Sequence, residues 1–575
     1  MRTDDLAKGP SRKGGRSRGG LAFRAAAGWL AAGFAVASCS PARFQFRADR
    51  ETYTALFEKT GAVENVEPES LELLPPSQLE LGHLRSYGKA ADYLGSHAAS
   101  EREAKLLTLD EALATGIRQS REYLTEKERV FLSALDLTLA RFRLTPIFFA
   151  DGRGVRATDS RRAELQQGMT DLVSTNTFAR TQSGGFNWLY NTGARISADF
   201  TQDFLRIMTG NRSFNESDLA VSIAQPLLQG GGAAVTMEAL TQEERDVLYQ
   251  LRDFADYRRA FIVDLVAGYY EVLRARDRVR NAYVAFQGFV KNVEREEALA
   301  EEDRRTQTQL GLLRQAKLQA ESRWIDSIRV YTSLLDAYKI TLGLPVAASI
   351  VLDDSELQRL KIEEPPVTKD ESVEIALVTR PDLATAADRV EDARRKIKVA
   401  RNGLLPGLDV TLDHNSVSDP GDSTPAINWN RRRWAGEVDV RLPLNRKAER
   451  NIYRASFIAL ERAERAEDLA LDRARFDIFE AWRALEQQRL DFRIAEQGVD
   501  LAARRLEEQV LLAELGRGEV RDLVDAQNDL VNSQNQRTST VINHTLARMR
   551  LWRDMGILYI KEDGSWAEKL REERP

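Results

Sequence analysis

Most of this chain repeats apolar residues every three to four positions; four short stretches repeat them every second. In "ARISADFTQDF", Ile196, Ala198, Phe200 and Phe204 alternate with Arg195, Ser197, Asp199, Thr201 and Asp203. In "LAVSIAQ", Leu219, Val221 and Ile223 share a face, and in "LDVTLD", Leu408, Val410 and Leu412 oppose Asp409, Thr411 and Asp413. In "WAGEVDVRL", Trp434, Val438, Val440 and Leu442 oppose Glu437, Asp439 and Arg441. A period of two puts one set on each face of a strand, which predicts strands near 194–205, 218–227, 407–416 and 433–443. A soluble sandwich is one reading. Four strands, however, cannot form a core for 575 residues. The other reading is a sheet whose apolar face meets lipid and whose polar face lines a lumen. Asp199, Asp203, Asp409, Asp413, Glu437 and Asp439 would then face that lumen. The segments near 206–217 and 417–431 are polar and contain glycine or proline, as exposed hairpin loops do.

The helical stretches are long. From Leu471 a seven-residue beat runs through Ile478, Leu485, Phe492, Val499 and Leu506, with Ala474, Ala481, Ala495 and Ala502 three residues behind. A sustained heptad implies left-handed coiling against a neighbour. The segment from Lys447 to Leu515 would span roughly 100 Å as a helix. It breaks at "LGRGEVRDLVDAQNDL", where Gly516 and Gly518 permit a tight reversal. The returning helix would begin near Glu519. Asp522 and Asp525 then share a face of its first turns. Acids there complement the helix dipole. Two on one face at a hairpin tip also suit a functional site.

The landmarks occur twice, in order. "LTLDEALATGIRQSREYL" has a counterpart in "ESVEIALVTRPDLATAA". Helices stop at Pro146 and Pro406, strands lead to Pro226 and Pro443, and the halves close on "YKITLGLP" and "LWRDMGIL". The first half has an unmatched insertion, 147–190, containing a possible short helix in "SRRAELQQGMTDLV".

Net charge is −5, with both signs interleaved, so no basic surplus points to nucleic acid. The four histidines, His83, His97, His414 and His544, have no ligand spacing, and no phosphate loop or nucleophile elbow is present. No metal, cofactor or enzymatic activity is expected. The basic N-terminus and the run "AAAGWLAAGFAVAS" read as a secretory signal. Val36-Ala37-Ser38-Cys39 resembles a bacterial lipobox, which would make Cys39 the lipidated first residue; ordinary cleavage leaving a free thiol is the alternative. Ser40 in place of aspartate implies outer-membrane retention. No later run of 18 apolar residues exists, so any spanning part would be a closed barrel.

Over roughly 107–557 the chain resembles the TolC-like outer membrane efflux proteins in their lipid-anchored form. The resemblance rests on the repeats, on "QPLLQGGG", on "YKITLGLP" and on "GRGEVRDLVDAQNDL". It implies a mainly α protein with a small membrane β part: a homotrimer whose chains each give four strands to one twelve-stranded barrel, above a helical tunnel. It implies a pore constriction at Asp522 and Asp525. It also implies adaptor docking at the tips, on Gly516, Arg517, Gly518, Glu519, Arg305, Thr306 and Thr308. Arg517, Gly518 and Glu519 depart from the family's usual tip residues. The first tip, "DRRTQTQLGLL", lacks the turn glycine, and Gly311 stands where an acid would be.

The domain reading is therefore a signal peptide (1–38), a lipid-anchored linker (39–106), a first repeat (107–345), an inter-repeat linker (346–370), a second repeat (371–557) and a tail (558–575). The implied function is a passive exit duct serving an inner-membrane transporter through a periplasmic adaptor. A non-conducting coiled-coil envelope spacer is the rival class, and it has no use for four amphipathic strands.

Overall fold

A computed structural model describes residues 40–73, 82, 84–88, 91–165, 169–208, 212–301, 306–419, 426–515, 517–561 and 564–568. The signal peptide and Cys39 lie outside these residues.

The segment after Cys39 is not all linker. Helix α1, Pro41–Thr60, opens with proline in its first turn, where the missing N–H costs nothing. Its Tyr53 ring lies 5.4 Å from Phe131, on a helix of the first repeat.

Strand β1 (Lys105–Leu107) leads into helices α2 (Leu109–Gln119) and α3 (Arg121–Phe142). Strands β2 (Ile147–Leu165), β3 (Met169–Leu189), β4 (Arg195–Ile207) and β5 (Arg212–Pro226) follow, then the long helix α4 (Glu238–Glu301) and its return α5 (Gln307–Thr341). After strand β6 (Ile350–Leu352) the plan recurs: helices α6 (Lys369–Thr379) and α7 (Pro381–Asn402), strands β7 (Gly407–Ser418) and β8 (Ile427–Arg441), then helices α8 (Lys447–Glu514) and α9 (Val520–Asp554). A hairpin of β9 (Leu558–Ile560) and β10 (Trp566–Glu568) occupies the tail.

The two runs have matching helix lengths: 11, 22, 64 and 35 residues against 11, 22, 68 and 35. Each run starts with the same device. Thr108 and Thr368 cap their helices, and Glu111 and Glu371 reach back to the cap backbone, completing reciprocal capping boxes. Each run also ends alike, on a glycine with left-handed backbone: Gly343 (φ +80°) and Gly556 (φ +74°). Leu344 N–H then donates to Lys339 and Ile557 N–H to Trp552, closing the helix ends. A Cβ on Gly343 would lie 2.1 Å from the Gln119 carbonyl oxygen. Gly343→Ala therefore meets both a backbone clash and a disfavoured φ. It should destabilise the fold by about 2 kcal/mol or more, read as a lowered urea midpoint.

Helices α4 and α8 are roughly 95–100 Å long. Each packs against its return helix, and α9 packs on α4. The main core surrounds the middle of α4, with Val263, Leu265, Val266 and Tyr269 inaccessible to solvent and Leu273 nearly so. The inter-repeat linker contributes: β6 pairs in parallel with β1, so Ile350, Val351 and Leu352 are buried. Along α8 the seam follows the expected beat in part. Ala474, Ile478, Ala481, Leu485, Ala495 and Ala502 are buried, whereas Leu471, Phe492, Val499 and Leu506 are half-buried within one chain.

The sheet departs from expectation. It has six antiparallel strands in the order β2-β3-β4-β5-β7-β8, and it is open, not closed, within one chain. The supposed insertion is a β-hairpin, and the helix expected in "SRRAELQQGMTDLV" is absent: its described residues belong to β2 and β3. Nineteen consecutive rungs join the two strands, from Ile147↔Asn187 to Leu165↔Met169. Cross-strand backbone bonding outweighs local helix preference there. The other four strands fall close to the expected ranges, but all four extend into the segments read as loops.

Candidate pore constriction and amphipathic sheet

The turn between α8 and α9 is built around one carbonyl. Leu512 C=O accepts from Arg517 N–H (2.9 Å) and Gly518 N–H (3.0 Å). A side chain at Gly518 would approach the Ala513 nitrogen to 2.8 Å, so glycine there permits close packing of the turn. Gly516 lies outside the described residues, as does Arg305 in the other tip. Arg517 and Glu519 are exposed. Glu519 takes the N-cap position of α9 in extended backbone without a side-chain cap.

The buried face of α9 orients the two acids. Val520, Leu523, Ala526 and Gln527 are buried. Val520 and Val524 join a small apolar cluster with Phe289, Val293, Leu313, Ala316 and Ala320, contributed by α4 and α5. This anchoring leaves Asp522 and Asp525 on the opposite, exposed side. Two other acids near the tip are occupied: Glu514 accepts from Arg295 (3.1 Å) and Asp529 from Arg505 (2.5 Å). Among the described residues Asp522 and Asp525 form no ion pair. Sequence alone could not separate these four acids; pairing does.

The first tip is built differently. Thr306 caps α5, its hydroxyl accepting from Gln309 N–H. Thr308 and Gly311 are exposed in the first turns. Thr306 thus has a capping role that the sequence reading did not assign.

The strand register places Asp199, Asp203, Asp409, Asp413, Glu437 and Asp439 on one face of the sheet. That face is not uniformly acidic. Arg195, Arg433 and Arg441 share it, and Arg441 bonds Asp409 and also Asp439 (3.2 Å). The opposite face is apolar across neighbouring strands. Ile196 pairs with Ile223, which pairs with Leu412; Ala198 pairs with Val221, and Val410 with Val438. Much of it is open to solvent: Trp434 is 61% exposed and Val438 64%.

Among the described residues no helix is long and apolar enough to cross a membrane. Among the same residues no three His, Cys, Asp or Glu side chains are grouped to hold a metal ion.

No family model matches the chain, and no curated protein is similar to it in sequence. Its fold has counterparts among solved structures. The CmeC outer membrane channel of Campylobacter jejuni superposes with a TM-score of 0.58 at 13% identity, over 84% of this chain and 93% of that one. The outer membrane protein VceC of Vibrio cholerae gives 0.57 at 13%, over 78% and 96%. The open-state MtrE outer membrane channel of Neisseria gonorrhoeae gives 0.54 at 14%, over 78% and 88%. The chain thus has the fold of outer membrane channel proteins, in keeping with its resemblance to the TolC-like family.

Proposed function

We propose that this protein is an outer-membrane exit duct of a tripartite efflux or type I secretion system. Three copies assemble it, and Cys39 anchors it by lipid. Cargo moves passively, driven by an inner-membrane transporter through a periplasmic adaptor that docks at the helical tips. The observation that carries this reading is the sheet: one face apolar and exposed, the other charged, set on two helical hairpins too long for a globular domain. An apolar sheet face of this kind needs either lipid or a partner.

Assembly is supported by the helices. On α8, Leu469, Phe476, Leu490, Ile494 and Leu501 are exposed, as are Leu318 and Ile325 on α5. A neighbouring copy would cover such stripes. The exposed Asp522 and Asp525 of three chains would gather six carboxylates around one axis, favouring cations.

The test is extraction. Full-length protein carrying Cys39→Ser should still require detergent to leave the membrane fraction, because a barrel holds it there. Release by a salt wash would remove the duct reading and leave a periplasmic coiled-coil spacer.

A further inference from the structure

We propose that the hairpin β2–β3 is part of the membrane wall, so that three copies close an eighteen-stranded barrel by pairing β2 of one copy with β8 of the next. This rests on the trimeric duct reading above and fixes its strand number at six per chain in place of four.

The hairpin is continuous with the rest of the sheet in hydrogen bonding. Strands β3 and β4 pair without a break from Leu189↔Arg195 to Thr177↔Ile207. It is also continuous in chemistry. On the apolar face, Phe148 pairs with Phe186, Phe186 with Ala198 and Ala198 with Val221; Trp188 pairs with Ile196. At the same height the polar face continues through Asn187, Ser183 and Asp151, interrupted by Ile147 and Phe149 on β2. A hairpin lying outside the membrane would have no reason to extend the apolar band at its own level.

The junction has a specific fitting. A Cβ on Gly185 would lie 2.0 Å from the Ala198 carbonyl oxygen, so β3 approaches β4 closely only because that residue is glycine. With β3 in place, the outer edge of β4 is already bonded. The free edges are β2 and β8. Lipid does not tolerate an unpaired edge, since each open N–H and C=O costs several kcal/mol. The occupant that fits is a second copy of this chain. β2 leaves the helical end and β8 returns to it, so β8 of one copy and β2 of the next run antiparallel.

Barrel diameter grows roughly in proportion to strand number, so eighteen strands give a mouth about half as wide again as twelve. Beyond β4 the hairpin continues alone from Thr158 to Leu165 and from Met169 to Asn176. That is about 27 Å at 3.4 Å per residue, enough to project past the wall.

Paired cysteines test this in the full-length chain, whose own single cysteine is Cys39. Ala435→Cys in β8 is combined with Phe149→Cys, Asp151→Cys or Arg153→Cys in β2. A competing set combines it with Ser197→Cys, Asp199→Cys or Thr201→Cys in β4. Ala435→Cys with Asp413→Cys, directly opposed within one chain, reports that oxidation works. After mild oxidation of membranes, at least one β2 pair should give covalent trimers on denaturing gels, and no β4 pair should. Gly185→Val should lower the yield of that β2 link several-fold. Links from β4 would mean a twelve-stranded ring with the hairpin outside. Covalent species stopping at dimers would mean a two-copy barrel. No link from either set, with the control pair closed, would exclude closure through β2. Each of these overturns the proposal while leaving membrane retention, and so the duct reading, to its own test.

Discussion

Replacing both tip acids, Asp522→Ala with Asp525→Ala, should raise single-channel conductance in a planar bilayer and cut cation-over-anion selectivity about tenfold. A tenfold change corresponds to about 1.4 kcal/mol, a modest demand on the six carboxylates that the proposed trimer would gather around one axis. The expectation follows from the tip's construction. Val520, Leu523, Ala526 and Gln527 fix which side of α9 is buried, and Glu514 and Asp529 are already engaged by Arg295 and Arg505. Asp522 and Asp525 remain exposed and adjacent, three residues apart. Removing them should not disturb the fold, because neither contributes to the apolar cluster behind them. Larger currents with unchanged selectivity would leave the duct intact and move the filter to the charged sheet face, where Arg441 already offsets Asp409 and Asp439. No current from either protein would count against the duct itself.

The second large effect is on stability, and it should be lopsided. Arg276 and Glu101 form a buried pair at 2.7 Å, 1% and 6% exposed as residues. Arg276 also donates to the Leu352 carbonyl (3.3 Å), the Asp354 carboxylate (3.3 Å) and the Tyr87 hydroxyl (3.1 Å). Tyr331 O–H donates to Glu101 at 2.7 Å. This network ties the segment before β1 and the strand β6 to the middle of α4. Arg276→Met should cost about 3–5 kcal/mol, because it leaves Glu101 buried and without its counter-ion.

Glu101→Gln should cost only about 1 kcal/mol, because Arg276 keeps a second carboxylate, Asp354, at 3.3 Å, whereas Glu101 has no other cation among the described residues. Burial raises the Glu101 pKa, and the Arg276 charge beside it only partly opposes that. The folded state thus holds this proton more tightly than the unfolded chain. The group's contribution to stability is full below the unfolded pKa of about 4.5 and falls as pH rises through the raised folded value. An uncharged amide at this position escapes that loss. Urea midpoints of the two variants, measured side by side, check the asymmetry; equal losses would contradict it.

How much of this was legible beforehand depends on the distance over which each feature is decided. Strands β4, β5, β7 and β8 were legible because each carries its own period-two pattern. The helix from Lys447, its turn near Gly518 and the return from Val520 were legible for the same reason: heptad, glycine and dipole are written within a few turns. The matched capping boxes at Thr108 and Thr368 are equally local, Thr-x-x-Glu in both, but the sequence reading matched these segments only as counterparts and did not assign the caps.

The hairpin β2–β3 was not legible, because much of "GRGVRATDSRRAEL" is polar on both faces and its period is weak. Its strand character comes from nineteen rungs of backbone pairing within the hairpin and from pairing of β3 with β4, contacts that no single segment's own pattern reveals. The pairing of Glu514 and Asp529, which singles out Asp522 and Asp525, is likewise non-local. So is the placing of Arg441 against Asp409 on the neighbouring strand. The sequence by itself determined which segments are strands with one apolar face, which are long coiling helices, and where the second hairpin turns. Only the tertiary structure decided that six strands, not four, make one sheet, and which charges near the tip stay unpaired. Periodicity is a property of neighbours in the chain, whereas hydrogen-bonded register and ion pairing join residues tens to hundreds of positions apart.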